Sequence, residues 1–150
     1  DEVAQRCVLI EDFVLHALAD PAGGRVAWSR QRTTVAVHGH CHTKALADPG
    51  SVARLLAIIP DLTPVALETG CCGMAGAFGM LASNRELSHA VAEPLVEAIH
   101  GLPRDAVVAA CGTSCRHQIQ ALTGVEAVHP IEVVAAALEP IENHSRSFVV

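Results

Sequence analysis

Thr33-Thr34-Val35-Ala36-Val37-His38-Gly39-His40-Cys41-His42 opens as a β-branched run and breaks at a glycine into a histidine-rich loop. Residues 33–37 predict a strand, and a short helix is predicted to start near Cys41. The same order recurs outward from this stretch. Asp48-Pro49-Gly50 predicts a turn, Ser51 a helix cap, and 51–59 a helix that Pro60 stops. Val65-Ala66-Leu67-Glu68 predicts a second strand, followed by the glycine-rich loop 69–79 and a helix over 83–99 that Pro94 is expected to kink or split. Ala106 to Ala110 predicts a third strand, Cys111 to Cys115 a loop, and 116–122 a helix. Val125 to Val128 predicts a last short strand, with Pro130 opening a helix that runs to Leu138. Strand, loop and helix repeated about four times predict an α/β fold: three layers, with a mostly parallel sheet of about four strands flanked by helices. In such a sheet, right-handed crossovers bring the carboxyl ends of the strands to one edge, where functional residues gather.

Upstream, 3–19 reads as one helix with Cys7 on its apolar face as a buried structural thiol. Residues 20–24 form a turn signal, and 25–29 a short strand carrying the lone Trp28. Residues 140–150 read as a tail, so 1–150 is expected to be a single domain with a terminal extension. The opening Asp-Glu-Val-Ala lacks an initiator methionine and reads as the start of a piece of a longer protein or of a processed one.

Composition narrows the function. Hydrophobic residues make up 51% of the chain, yet it has three Phe, one Trp and no Tyr, so the core must be aliphatic. The formal charge is −6 and Lys44 is the single lysine, which argues against nucleic-acid binding and against docking on an anionic membrane. No apolar stretch approaches the roughly 18 residues of a transmembrane helix.

The cysteines carry the chemistry. They stand at 7, 41, 71, 72, 111 and 115. With no secretion signal, clustered cysteines are more often metal-binding or catalytic than disulfide-bonded. Cys41 follows the first regular strand, Cys71 and Cys72 the second, and Cys111 and Cys115 the third, so independent loops deliver five thiols to one edge. Core packing does not require that placement, whereas an iron–sulfur cluster does. The loop glycines, Gly73 and Gly76 among them, free backbone N–H groups to donate to sulfur. Lys44, Arg116 and helix starts can offset the charge of several thiolates. His38, His40 and His42 alternate around Cys41 and keep a mixed Cys/His zinc site open. The plainer expectation is that each closes a hydrogen bond within its loop. His117 and His129 can reach the same edge, while His16, His89, His100 and His144 read as surface positions. Gly73-Met74-Ala75-Gly76 fits neither G-x-G-x-x-G nor a P-loop, and Ser114 does not stand in G-x-S-x-G.

Together, HGHCH at 38–42, CCGMAGAFGM at 71–80, GTSCRHQ at 112–118 and HPIEV at 129–133 resemble the cysteine-rich CCG domain. That domain occurs in heterodisulfide reductase subunits, in glycolate oxidase iron–sulfur subunits and, with the greatest likeness here, in large FAD-linked oxidases of D-lactate or D-2-hydroxyglutarate. The resemblance covers roughly residues 33 to 139. It implies an iron–sulfur cluster, expected to be [4Fe-4S], on Cys41, Cys71, Cys72 and Cys115. Gly73, Gly76 and His129 would support it from behind the ligands. The family pattern ends in C-x-x-C, whereas Cys111 and Cys115 here are one residue further apart and Gly112 holds the completing position. Cys111 therefore falls outside the implied ligand set. The resemblance further implies an electron-transfer module of a flavin-linked 2-hydroxy-acid dehydrogenase, with FAD on another domain or subunit, a second CCG module as partner, and a separate electron acceptor. A cytoplasmic location follows, peripheral to the inner membrane through those partners. A zinc-binding structural or docking module is the alternative.

Overall fold

The computed structural model describes residues 2–20 and 26–139. The expected tail at 140–150, His144 within it, positions 21–24 of the expected turn and position 25 of the expected short strand lie outside the described residues.

The sheet is built on β1 (Thr33–His38), with β2 (Leu62–Ala66) on one side and β3 (Val107–Ala110) on the other, both parallel to it. Side chains alternate across β1, so its two faces feed two cores. Val35 and Val37, with Ala109 of β3, pack against α4 (Ser51–Leu56) and α7 (Pro130–Ala137). Behind them, α2 (Ile10–Ala19) adds Val14, Leu15 and Leu18. Ala36 of β1 and Val108 and Ala110 of β3 pack on the other face, against Leu95 and Ile99 of α5 (Arg85–His100) and Cys115 and Ile119 of α6 (Thr113–Thr123). The three-layer α/β expectation holds. Among the described residues no helix is long and apolar enough to cross a membrane.

The sheet has three strands rather than four. Val125 to Val128 contributes only one parallel bridge, Val128 to Ala109. The Val128 N–H donates to Val108 O at 3.0 Å, and the Ala110 N–H to Val128 O at 2.9 Å. The segment is hemmed in by Gly124, a left-handed helix cap, and by His129, the N-cap of α7, so no room is left for a longer ladder. Trp28 likewise makes a single antiparallel bridge, to Leu138. β2 begins at Leu62 and ends at Ala66, earlier than the expected 65–68. β2 takes in Pro64 because it is an edge strand, where a proline is tolerated.

The expected single N-terminal helix is two: α1 (Glu2–Arg6) and α2. Leu9 is extended at φ −70, ψ 145, and Glu11 and Asp12 favour a fresh helix start there. Cys7 falls in the break and is exposed, so it is not the buried core thiol its spacing predicts. Pro94 neither splits nor ends α5, because Pro94 and Ala90, whose carbonyl loses its donor, both face solvent.

Leu55 is fully buried in the α4 core. Leu55→Ala is expected to lower the unfolding free energy by about 2–5 kcal/mol in urea denaturation, the usual cost of a buried leucine-sized cavity.

Candidate metal centre

Parallel register aligns the strand ends: Val37 pairs with Ala66 and with Ala109, and His38 with Ala110. The chain therefore leaves all three strands at the same level. Cys41 opens α3 (Cys41–Leu46), Cys71 and Cys72 lie in the loop after β2, and Cys115 sits in the first turn of α6. Cys72 and Cys115 are buried, whereas Cys41 and Cys71 are half-buried at the rim.

The four thiols interact as one set. Cys41 is raised above the ordinary thiol value by burial, by the charge of Cys71 and by a hydrogen bond to it. Cys72 is lowered to about 4, chiefly by a hydrogen bond from Cys115 and further by His38 and the Met74 backbone N–H. Cys115 is raised by donating that bond, by burial and by the charges of Cys72, Cys41 and Cys71. The hydrogen bond between Cys72 and Cys115 thus favours a pair that shares one proton, with the negative charge on the Cys72 side.

The glycine loop supports the sulfurs. The Gly73 N–H donates to Cys71 Sγ at 3.4 Å. Gly73 adopts φ +87, and a Cβ there would lie 2.0 Å from the Ser88 carbonyl oxygen of α5. No side chain fits, so the position demands glycine. Gly76 also has positive φ but faces open space. Arg116 donates to the Ala110 and Cys111 carbonyls at 2.9 and 2.8 Å, and Lys44 donates to the Thr69 carbonyl, so both cations brace strand-end loops beside the thiols.

The histidines divide. His40 caps α3 by accepting the His42 N–H at Nδ1, 3.3 Å. His42 and His117 are exposed, as are His16, His89 and His100. His38 is buried, and one of its ring nitrogens lies within 4.8 Å of both Cys72 Sγ and Cys115 Sγ, which are equally close to each other. Its place on β1 offered a signal: it shares the parity of the fully buried Ala36.

His129 and Cys111 meet elsewhere, around the buried Glu11 of α2. His129 Nδ1 accepts the Ile131 N–H at 3.2 Å in a capping box completed by Glu132. The ring proton therefore sits on Nε2, 3.5 Å from Glu11 Oε1. Ligation through Nε2 would move the ring proton to Nδ1 and break the cap bond from Ile131. The trio sets α2 beside α7 and the end of β3, with Glu11 Oε1 buried and without a hydrogen bond of ordinary geometry. Cys111 is pushed up to about 12 by burial and by Glu11.

The four-thiol set fits a soft metal group. Cys72 is held well below the ordinary thiol value, backbone N–H groups point at sulfur, and the buried His38 Nε2 has no hydrogen-bond partner of ordinary geometry.

Residues 35–120 match the family described as CCG: Cysteine-rich domain. The chain is 36% identical over 104 residues to one of the subunits of anaerobic glycerol-3-phosphate dehydrogenase of Escherichia coli strain K12, covering 69% of this chain and 26% of that protein. It is 36% identical over 99 residues to D-2-hydroxyglutarate dehydrogenase of the same strain, covering 64% of this chain and 10% of the relative. With the enzyme of that name from Pseudomonas putida, 41% identity over 66 residues covers 44% and 6%. The chain thus spans about a quarter or less of the curated relatives it matches. No solved structure matches it.

Two outcomes follow for the metal-free chain. Cys72 titrates near 4 in the folded state against an ordinary value of 9.0, so its contribution to stability is full above pH 9 and is lost as pH falls toward 4. Cys115 and Cys111 are raised, so theirs is full below pH 9 and is lost as pH rises further. Urea midpoints should therefore climb from pH 5 toward 8 and fall above 9, and Cys72→Ala should flatten the climb. Gly73→Ala should cost at least the roughly 1–2 kcal/mol of left-handed backbone, plus the clash with Ser88, read from the same curves.

Proposed function

The chain belongs to the cysteine-rich CCG domain family, and from that premise we propose that it is the iron–sulfur electron-transfer module of a flavin-linked 2-hydroxy-acid dehydrogenase. The observation that carries the reading is that Cys41, Cys71, Cys72 and Cys115 follow three strand ends that stand level, with Cys72 and Cys115 buried together beside His38. These four would hold the cluster, of [4Fe-4S] type, and a cluster there supplies one-electron exchange. The chain's own residues hold the sulfurs, aim the Gly73 and Met74 N–H groups at them and keep water from Cys72 and Cys115.

One relative's name supports the substrate class, since D-2-hydroxyglutarate is a 2-hydroxy acid. Glycerol-3-phosphate is instead a phosphorylated polyol, and what the two named proteins share is that both are dehydrogenases. On this reading a flavin on another domain or subunit removes the hydrogen, and a second CCG module and an acceptor complete the path. The assembly works in the cytoplasm, held peripherally to the membrane through its partners.

A zinc-bound docking module is the second reading. The close grouping of His38 with Cys72 and Cys115 favours it, being a mixed N/S donor set of the kind zinc takes.

Anaerobic iron, acid-labile sulfide and zinc analysis with a visible spectrum separates the two. Iron with matching sulfide and broad visible absorption is expected. Stoichiometric zinc, colourless after anaerobic reconstitution, would replace the first reading with the second. Cys72→Ser should abolish or sharply reduce metal content, and Cys7→Ser should leave it unchanged, because Cys7 is exposed and away from the set.

A further inference from the structure

We propose that His38 is the hydrogen-bond donor that sets the redox character of this centre, with its Nε2–H directed at the Cys72 sulfur. The inference rests on the iron–sulfur reading above and adds a residue to it.

His38 ends β1 on the face of Ala36 and is 1% exposed. Its Nδ1 lies 3.2 Å from Thr69 Oγ1. Thr69 is itself held on both sides of its backbone: its N–H donates to Leu67 O at 2.8 Å, and its carbonyl accepts from Lys44. The imidazole is thereby fixed in orientation from one end. At the other end, Nε2 is buried with no hydrogen-bond partner of ordinary geometry, and the sulfurs of Cys72 and Cys115 are the metal-ligating atoms grouped with the ring. A buried polar nitrogen left without a partner is rare and marks a missing group or a functional demand.

Donor count decides between ligand and hydrogen-bond donor. Four thiols already meet the four protein ligands a cubane cluster takes. A fifth ligand is not needed, whereas thiolate sulfurs in a water-poor site do need N–H donors. In the tautomer we assign, the Thr69 hydroxyl donates to Nδ1 and the ring proton sits on Nε2, facing sulfur. No other histidine among the described residues is so placed. His40 spends its Nδ1 on a helix cap, His42 and His117 face solvent, and His129 faces Glu11.

A hydrogen bond to a ligating sulfur draws charge from the metal and favours the reduced state, so its loss lowers the reduction potential. The test uses the full-length protein that carries this domain, reconstituted anaerobically and labelled with ¹⁵N-histidine. Pulsed electron paramagnetic resonance of the reduced wild type should show one weak histidine-nitrogen coupling. Redox titration of His38→Leu should show iron and sulfide at wild-type content and a reduction equilibrium displaced about tenfold toward the oxidised form, about 59 mV for one electron. His38→Gln, which places an amide N–H near Nε2, should recover most of that shift.

Absence of any histidine coupling, a strong coupling of directly bound nitrogen, or an unchanged potential in His38→Leu overturns the donor role. Loss of iron from both variants with folding intact makes His38 a ligand and overturns it as well. If His38→Leu does not fold, the wild-type coupling and the His38→Gln potential decide. A wild type that takes up no iron and sulfide overturns the iron–sulfur reading itself, a result distinct from all of these.

Discussion

The backbone register of one strand governs this molecule. β1 pairs in parallel with β2 and β3 so that Val37, Ala66 and Ala109 stand level. Nothing else needs to be specified for three loops to leave the sheet together. A one-residue slip would exchange the two faces of a strand, moving Ala36 and His38 to the side of Val35 and Val37. The two cores resist this because they are lined differently. The sheet presents Val35, Val37 and Ala109 to the α4 side, and Ala36, Val108 and Ala110 to the α5–α6 side, where the sulfurs of Cys72, Met74 and Cys115 are buried.

The thiol edge gains its shape from polar contacts behind it. Ser88 of α5 presents its carbonyl to Gly73 and accepts a hydrogen bond from Gln118 of α6 at 3.1 Å on its hydroxyl. Both side chains are buried, so the bond between the two helices is made away from water, where leaving one partner unpaired is expensive. The glycine loop rests on that joint. The two buried cysteines lie on this face of the sheet, and Cys111 packs on the other with Glu11 and His129. Gly112 and the first two residues of α6, which lie between Cys111 and Cys115, therefore carry the chain from one core to the other.

Much of this was legible in the residues. The β-branched run at 33–37 and the glycine after it placed β1 and its loop, and the spacing of cysteines after strands placed the edge. The less legible parts were decided by partners distant in sequence. Cys7 has helical spacing, but the helix stops before it because the acidic pair at 11 and 12 restarts the chain. β2 starts at Leu62, ahead of the apolar run at 65–68, because an edge strand tolerates Pro64. His129 shares the edge in sequence order, yet its role follows from Glu11, more than a hundred positions away, and from a cap that fixes its proton. His38 could be separated from His40 and His42 only by the pleat, which buries one and turns the others into a loop.

The opposite edge of the sheet is built differently. There Arg30 and Arg32 meet Asp61 at 3.1 and 3.9 Å in solvent, and the Thr33 hydroxyl reaches the Asp105 carbonyl at 3.4 Å. Exposed pairs of this kind contribute little to stability, and residues 103–105 are exposed. The domain thus has a chemically quiet pole facing away from its thiols. A protein tethered to an electrode through that pole would present its sulfur edge to solution in a single orientation, which surface attachment ordinarily leaves to chance.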